Sequence, residues 1–422
     1  MLDVSQVLSP DTGLVAAHGV IAPGADGNPL WSVGAQLACE HAPDPDEPVL
    51  LSTCRTGACS VSRSGATVRT AGEAVERAAL HGTPTVSAPY DAVRDRAFPY
   101  FDPQHTLGAD PGDRVLRWYE ARRVTDGRDY LVPAGLVDYP AAPEDQVGFD
   151  PGPSGAAAGP SYDAALKSAL LETLERDAVI VSWARQLTLR AIDVEPPSTA
   201  GSDPVWSQVR ATMTAARGAG LTPVFAEIPT AVAGVTCLVG GVRAELRGAT
   251  SLCLGAKASD HLGKAVLGAL EESFQLYYGL RTAGADYLDE PVAARVTGDA
   301  ERVRFLASAQ GVDALQGWLD KPLPPRPVAT EAPVSAESLM LAMIEDGLDP
   351  LVLDLSERLP PRLRAAGWAV VKVIPAGYQP LRIDERHGFG WHAGRLDSAP
   401  DRTGTRARHP PGGVYDLPHP LP

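Results

Sequence analysis

Short apolar segments bounded by turn-forming residues alternate with longer amphipathic segments along the chain. The segments TPVFAEI, VTCLVGGV and WAVVKVI are short and apolar, as is typical of buried β-strands. Longer segments repeat apolar residues with the period of an α-helix, and they read RTAGEAVERAALHG, SYDAALKSALLETLERDAVIVSW and SDHLGKAVLGALEESFQLYYGLR. Because predicted strands and helices are intermixed, the pattern predicts an α/β or α+β fold.

The second predicted helix has two contrasting faces. Leucines recur at every fourth residue and form an apolar stripe, at Leu166, Leu170 and Leu174. Ser168, Glu172 and Glu175 fall together on the opposite side at about 3.6 residues per turn. Two carboxylates three residues apart on a helix can therefore point at one spot.

The pattern Glu-x-x-Glu-Arg occurs twice, each time in a predicted helix. The two copies and a third acidic helix supply the side chains of Glu73, Glu76, Arg77, Glu172, Glu175, Arg176, Glu271, Glu272 and Gln275. Converging carboxylates can hold Mg²⁺, which prefers oxygen ligands and often takes the remaining ones from phosphates. The alternative is a solvated surface on which Glu172 pairs with Arg176 one turn away. A di-iron or di-manganese centre would need Glu-x-x-His pairs, and neither copy supplies the histidine.

Composition argues against several classes of function. The net charge of −15 gives no support for binding to nucleic acid or to an anionic membrane surface. The chain has no glycine-rich P-loop and no dinucleotide-binding glycine pattern after a strand. Its five cysteines lack zinc-site spacing, which indicates reduced thiols at Cys39, Cys54, Cys59, Cys237 and Cys253. Since neither a signal sequence nor a long apolar run is apparent, we expect a cytoplasmic protein.

Several motifs, in order along the chain, resemble those of the YcaO-domain family. PSGAAAGPSYDAALKSALLETLERDAVIVSW resembles the family signature, in which a Gly/Ala-rich turn leads into a helix ending in Glu-x-x-Glu-Arg-Asp-Ala. RTAGEAVERAALHG resembles an earlier family helix, KAVLGALEESFQ a later acidic helix, and VVKVIPAGYQPL the late strand and turn. PHPLP is similar to the tail of azoline-forming members. The resemblance covers essentially the whole chain and implies mixed sheets with packed helices around a central ATP cavity.

The resemblance implies an ATP-dependent cyclodehydratase that acts on a ribosomal precursor peptide. In azoline-forming members, a Cys, Ser or Thr side chain attacks the preceding backbone carbonyl, and ATP phosphorylates the amide-derived oxygen. The thiazoline and oxazoline products occur in peptide antibiotics. Two alternatives stay open: a catalytically degenerate scaffold that partners an active cyclodehydratase, or a family member that forms thioamides or amidines.

The resemblance also implies roles for individual residues. The magnesium ligands or their supports would be Glu73, Glu76, Glu172, Glu175 and Glu272. Arg77 and Arg176 would contact the phosphates of ATP, and Gln275 and Ser168 would belong to the nucleotide site.

Proline occupies every second position near the end of the sequence, at Pro418, Pro420 and Pro422. This spacing predicts a stiff, extended rod, although a loose proline-rich end is the alternative. The resemblance implies that the rod reaches back to the active site, where its terminal carboxylate docks and its integrity matters for catalysis.

We expect an N-terminal α/β segment over residues 1–60, a YcaO catalytic core over 61–396 and a proline-rich tail over 397–422. The implied partners are the precursor peptide, an E1-like or ThiF-like leader-binding protein and, in some systems, a dehydrogenase. The chain is expected to form a homodimer or a hetero-oligomer, with no nucleic acid or membrane involved.

The sequence departs from the family pattern at several ATP-site positions. Arg69 stands where the family often has serine, and the loop before that helix has no lysine. Pro160 and Ala164 replace an asparagine and a glutamate that are common in the second segment. These changes predict either a rearranged nucleotide site, with Arg55, Arg63 or Arg69 supplying contacts, or the loss of catalysis.

Overall fold

The computed structural model describes most of the chain. The described residues are 4–24, 27–38, 54–100, 111–146, 150–192, 194, 203–288, 290–292, 295–325, 332–386 and 390–421. Cys39 and Pro422 lie outside the described residues. Cys54, Cys59, Cys237 and Cys253 form no disulfide bond among the described residues.

The strands build three antiparallel sheets. In chain order they are β1 (Val15–Ile21), β2 (Trp31–Leu37), β3 (Arg55–Ser60), β4 (Val86–Pro89), β5 (Val115–Arg123), β6 (Asp129–Pro133), β7 (Ala156–Gly159), β8 (Thr222–Ile228), β9 (Thr236–Leu246), β10 (Ala249–Ser259), β11 (Asp349–Asp354) and β12 (Ala369–Ala376). The first sheet has the order β1-β2-β3, and another has the order β10-β9-β8. The largest has the order β4-β5-β11-β12-β7, with β6 paired to β5.

The helices lie between and beside these sheets. They are α1 (Val4–Val7), α2 (Arg63–Ala79), α3 (Tyr90–Val93), α4 (Tyr162–Arg185), α5 (Pro204–Gly218), α6 (Leu262–Thr282), α7 (Ala285–Leu288), α8 (Asp299–Ala307), α9 (Ala309–Leu319), α10 (Ala336–Glu345), α11 (Pro361–Ala365), α12 (Ala393–Asp397) and α13 (Ala399–Thr403). The three acidic segments form α2, α4 and α6, so the predicted α/β fold is confirmed. Within the described part of the chain, no helix is long and apolar enough to cross a membrane.

Helix α4 contacts β7 and β12 of the largest sheet and also β10 of the β10-β9-β8 sheet. It begins after Ser161, whose hydroxyl caps the helix by accepting a hydrogen bond from the Ala164 amide at 3.2 Å. Leu170 and Leu174 are buried, whereas Leu166 is only half-buried. Because residues 177–185 are buried on every side, α4 is a core helix over its second half.

The two faces of α4 should respond differently to truncation. Leu170 is completely buried, so Leu170→Ala should lower the free energy of unfolding by about 2–5 kcal/mol. Glu172→Ala should cost much less, or stabilise the protein, because it removes one charge from a crowded group of carboxylates. Urea denaturation of both variants measures the difference. If Glu172→Ala unfolds the protein and Leu170→Ala leaves the free energy of unfolding unchanged, the two faces of α4 are reversed.

Candidate functional site

Three helices bring the predicted acidic side chains to the edges of two sheets. Strand β3 is the edge of the first sheet, and β10 is the edge of the β8–β10 sheet. Helix α2 packs on β3, α6 packs on β10 and also contacts β3, and α4 contacts β10. We call the region between them the acidic site, formed by Glu73, Glu76, Glu172, Glu175 and Glu272.

Backbone amides of β10 hold two of these carboxylates in place. The Ala258 amide donates to Glu175 Oε2 at 2.9 Å, and the Ala256 amide donates to Glu272 Oε2 at 3.0 Å. Gly255 permits this close approach, because a Cβ atom there would lie 2.5 Å from the Cβ of Glu272. Since each carboxylate uses one oxygen on the strand, its other oxygen is left for the acidic site.

The carboxylates of Glu73 and Glu76 on α2 are half-buried and lie close to other carboxylates. The Gly57 amide of β3 donates to Glu73 Oε2 at 3.1 Å, and Arg77 Nη2 lies 3.5 Å from Glu73 Oε1. Burial raises the pKa of Glu73. Burial, and next the charge of Glu172, raise the pKa of Glu76 well above its usual range. A bound cation would relieve this repulsion.

Arg176 of α4 and Lys257 of β10 partly neutralise the acidic site. Arg176 lies between two carboxylates, with 3.8 Å from Nε to Glu172 Oε1 and 3.6 Å from Nη1 to Glu175 Oε1. Burial opposes its charge, but Glu175, Glu172 and Glu272 together raise its pKa. Lys257 Nζ lies 3.5 Å from Glu175 Oε2, which raises the pKa of Lys257. These contacts are longer than charge-assisted hydrogen bonds, so both cations are loosely held.

The side chains present fit a magnesium ion in donor type, burial and charge. Glu175 is fully buried, and its Oε1 has no hydrogen-bond partner, which leaves an oxygen lone pair unsatisfied. Among the described residues, no three His, Cys, Asp or Glu side chains stand close enough to hold one ion. Mg²⁺ is usually bound through one or two carboxylates, with phosphates and waters completing its shell. The acidic site therefore suits a metal–phosphate ligand better than a bare ion.

Arg69, the departure from the family's serine, joins two of the three helices. Its Nη1 pairs with Glu271 Oε2, which ties α2 to α6 beside the acidic site. Burial lowers the pKa of Arg69, while Glu272 and Glu73 act in the opposite direction. The Arg69 side chain is about one-third exposed. The structure thus places an arginine beside the acidic site, at a position where the family often has serine.

The remaining predicted cofactor residues differ in position. Arg77 lies on the edge of the acidic site and stacks over Tyr139, with 5.0 Å between its guanidinium carbon and the ring centroid. Gln275 is half-buried on α6, one turn after Glu272. Ser168 is exposed on α4, one turn before Glu172. The structure brings the glutamates and arginines together but leaves Ser168 on the surface.

A cavity of about 70 Å³ adjoins the acidic site, and we call it the side cavity. Its wall includes Arg176 from α4 and Lys372 from β12, together with Arg382 from the turn that follows. Thr173 also lines it, and its buried Oγ1 has no hydrogen-bond partner. Neither Lys372 nor Arg382 stood out in the sequence, because each reaches the side cavity through tertiary packing between segments far apart in the chain.

The proline-rich tail is docked against the body of the protein. Residues 418–421 are buried, and Leu421 is 1% exposed within the main core. Trp183 Nε1 donates to the Leu417 carbonyl at 3.0 Å. The expectation of a docked tail is thus confirmed for Pro418 and Pro420, and the part of it that concerns Pro422 lies outside the described residues. Helices α12 and α13 occupy residues 393–403, at the start of the segment 397–422 that the sequence predicts as a proline-rich tail.

His419 fixes the tail to the turn that lines the side cavity. Its backbone amide donates to Glu385 Oε1 at 3.1 Å, and its Nε2 lies 2.7 Å from the Arg382 carbonyl. Glu385 in turn forms a buried ion pair with Arg302. Because Arg382 also lines the side cavity, the docked tail packs against one wall of that cavity.

Tail docking should weaken in acid. Burial, and next the charge of Arg302, hold the pKa of His419 well below its usual value, so the docked imidazole stays neutral. As pH falls below about 6.5, only the undocked tail takes up a proton, and docking should weaken about tenfold per pH unit. Hydrogen exchange of the tail amides, corrected for intrinsic rates, measures this. The His419→Gln variant should lack the dependence, and a wild-type tail equally protected at pH 5 and 8 would contradict it.

A second buried network, which sequence reasoning missed, joins helix α4 to helix α12. Arg395 of α12 binds Asp177 through Nε at 2.9 Å and Nη2 at 2.7 Å. Its Nη2 also donates to Asp346 at 2.6 Å, and Arg402 donates to the other oxygen of Asp346 at 2.9 Å. The Gln379 amide donates to Asp177 Oδ1 at 2.8 Å. The only sequence signal was an acid directly after the second Glu-x-x-Glu-Arg motif.

Comparison with known proteins agrees with this geometry. The family described as "YcaO cyclodehydratase, ATP-ad Mg2+-binding" matches residues 58–379. The chain therefore belongs to the YcaO cyclodehydratase family. A search of curated proteins finds no match to the chain.

Solved structures of this family share the fold. A heterocyclase in complex with substrate and cofactor superposes with a TM-score of 0.69 at 19% identity, over 99% of this chain and 56% of the heterocyclase. The YcaO protein from Methanopyrus kandleri bound with AMPPCP and Mg²⁺ gives 0.60 at 19% identity, over 88% of each chain. A chain of the E. coli microcin synthetase McbBCD complex with pro-MccB17 gives 0.58 at 13% identity, over 86% and 88%. This chain thus spans little more than half of the heterocyclase it matches.

Proposed function

We propose that this protein is the ATP-dependent cyclodehydratase subunit of a cytoplasmic peptide-modifying system. It would install thiazoline or oxazoline rings at Cys, Ser or Thr of a ribosomally made precursor peptide. The observation that carries the proposal is the docking of the PHPLP tail onto the turn of Arg382, which lines the side cavity together with Arg176. Among family members, this tail belongs to the azoline-forming class.

The acidic site would hold Mg²⁺ through one or two of the carboxylates of Glu172, Glu175 and Glu272, with phosphates and waters completing the shell. The other carboxylates, with Glu73 and Glu76, would be further ligands or supports. Arg77 and Arg176 would face the phosphates of ATP, and Gln275 would line the nucleotide site. When bound, ATP supplies a phosphoryl group that converts the amide-derived oxygen into a good leaving group. The exposed position of Ser168 gives no support to a nucleotide contact there.

The chain's own residues would position charge and exclude water. Glu175 and Glu272 are preoriented by the amides of β10, so little reorganisation is needed to present oxygens to a cation. Arg176 is held loosely, so it can exchange a carboxylate for a phosphate at small cost. The buried tail would close the wall of the side cavity against solvent, which strengthens electrostatic interactions inside it.

The partners are proposed by analogy with the structural neighbours. One neighbour is a complex with pro-MccB17, and another is a heterocyclase with its substrate. We infer that a precursor peptide is the substrate here and that a separate E1-like or ThiF-like protein binds its leader. A dehydrogenase would act later if the azolines are oxidised.

A non-catalytic scaffold is the second candidate, and one observation favours it. Arg69 is ion-paired to Glu271 next to the acidic site, where the family often has an uncharged serine. If Arg69 excludes the nucleotide, this chain would assemble with an active partner without binding ATP. Arg69→Ser would then create ATP binding that the natural protein lacks.

The proposed reaction is tested by mass spectrometry of a precursor peptide incubated with the protein, its leader-binding partner, ATP and Mg²⁺. Each ring should lower the peptide mass by about 18 Da, with one ADP formed per ring. Peptides in which the target Cys, Ser or Thr is replaced by alanine should keep their mass. ATP consumption with an unchanged peptide, or exchange of oxygen for sulfur in its backbone, would contradict azoline formation.

A further inference from the structure

Lys372 is a buried lysine that the nucleotide chemistry leaves without a role. It lies in the middle of β12, and its side chain is 2% exposed. It lines the side cavity together with Thr173, whose buried hydroxyl has no hydrogen-bond partner. A buried, unsatisfied hydroxyl beside a buried amine indicates a cavity built for a polar guest.

The surroundings of Lys372 suit a neutral amine. Its Nζ donates to the Gly152 carbonyl and to the Ser154 carbonyl, both at 2.8 Å. These two bonds satisfy the two N–H groups of an amine, and the remaining tetrahedral position holds its lone pair. In the ammonium form, that position holds a third N–H. The two carbonyls thus hold Nζ in place in either protonation state.

The charges facing Lys372 come from two helices and one loop, namely Glu172 of α4, Glu76 and Arg77 of α2, and Asp138. Burial lowers the pKa of Lys372 to about 8, although Glu172 and Glu76 act in the opposite direction. Below that pH the side chain is mainly an ammonium ion, and above it mainly an amine. A lysine poised near neutrality can both take up and release a proton during turnover.

We propose that Lys372 is the general base that activates the peptide nucleophile in the side cavity. This inference rests on the proposed function. The thiol sulfur or hydroxyl oxygen of the substrate forms a bond to the preceding carbonyl carbon, and the C=O π electrons move onto the carbonyl oxygen. The proton of the thiol or hydroxyl passes to the lone pair of Nζ. Lys372 then holds it as the third N–H and releases it to solvent before the next turnover.

The effect should be larger for hydroxyl than for thiol nucleophiles. A thiol has a pKa of about 8.5 and ionises appreciably without help, whereas an aliphatic hydroxyl does not. Lys372→Arg keeps a cation and hydrogen-bond donors near Gly152 and Ser154 but cannot accept a proton. Lys264→Arg, at an exposed position on α6, is the matched control.

The activity experiment compares Ser/Thr and Cys precursor peptides across pH 6 to 10. Lys372→Arg should lower oxazoline formation by roughly 10²-fold or more and thiazoline formation much less, with Mg-ATP affinity within about twofold. The wild-type rate should rise with an apparent pKa near 8, and the variant should lose this limb. Equal losses for both peptides with an unchanged pH profile would overturn the proposal in favour of a structural role. No loss at all would overturn it too, whereas a wild-type protein that forms no ring would overturn the proposed function itself.

A second measurement does not depend on catalysis. The chain contains five lysines, so NMR spectra of protein labelled at lysine Cε resolve few signals. The signal that disappears in Lys372→Arg should titrate near pH 8. Titration of the Lys372 signal above pH 10 would overturn the assignment even if the variant is inactive.

Discussion

Removing residues 419–422 should lower the rate of azoline formation by about 10²-fold or more, while Mg-ATP binding and the overall fold persist. His419 and Leu421 are buried, and His419 bonds to both Arg382 and Glu385 of the turn that lines the side cavity. Truncation therefore opens this wall to water and frees the turn, which weakens electrostatic interactions at the site of reaction. The prolines already restrict the backbone conformations of the undocked tail. Docking therefore loses little conformational entropy, and the tail stays bound in the intact protein.

The truncation is assayed by the loss of about 18 Da per ring from a precursor peptide, beside calorimetry of Mg-ATP. Asp416→Ala is the matched control, because Asp416 belongs to the same tail but is exposed in its pair with Arg295. The control should retain its activity, since exposed ion pairs contribute little. Full activity of the truncated protein would show that the docked tail has no part in the reaction.

Asp177→Ala should destabilise the protein by about 3–5 kcal/mol, the largest loss of stability expected from a charged residue here. Asp177, Asp346, Arg395 and Arg402 form a buried, neutral group of four charges. Removal of Asp177 leaves one excess buried positive charge, and the Gln379 amide also loses its acceptor. Because this network ties α12 to α4, the change should also loosen the segment that precedes the tail.

Urea denaturation at pH 7 measures this cost, with Asp129→Ala as the control. Asp129 is paired with Arg122 on the surface, so its loss should change stability by less than about 1 kcal/mol. The double variant Asp177→Leu with Arg395→Met should recover part of the loss, because two compensating charges leave together. Equal, small effects of Asp177→Ala and Asp129→Ala would show that the buried network is not important for stability.

The sequence predicted the parts of the site that have local signals. The period of α4 placed Leu170 inside and brought Glu172 and Glu175 to one side. The docked tail was expected from the family resemblance, because the alternating prolines alone also fit a loose end. Ser168 shares the helical face of Glu172 but lies one turn nearer the exposed end of α4, so helical period alone could not tell it from a site residue. The sequence also gave no way to rank Arg69 above Arg55 or Arg63 as the added cation.

The residues that sequence reasoning missed are joined over long separations. Lys372 contacts the carbonyls of residues 152 and 154 only because β12 pairs with β7, and Arg395 reaches Asp177 only because α12 packs on α4. A lysine in an apolar strand and an arginine in a short helix carry no local pattern that reveals a buried partner. Such contacts depend on tertiary packing, which periodicity does not encode.

Calorimetry of ATP with the isolated protein, in the presence and absence of Mg²⁺, tests most directly whether the acidic site binds a metal–nucleotide complex. The wild-type protein should bind ATP only with Mg²⁺, and Glu175→Gln should remove that binding while keeping the amide contact to β10 and the fold. Glu245→Gln, at a carboxylate outside the acidic site whose Oε1 accepts a hydrogen bond from Thr250, should bind like the wild type. Equal Mg-ATP binding by the wild type and Glu175→Gln, or no binding by the wild type with or without its partner, would contradict the account.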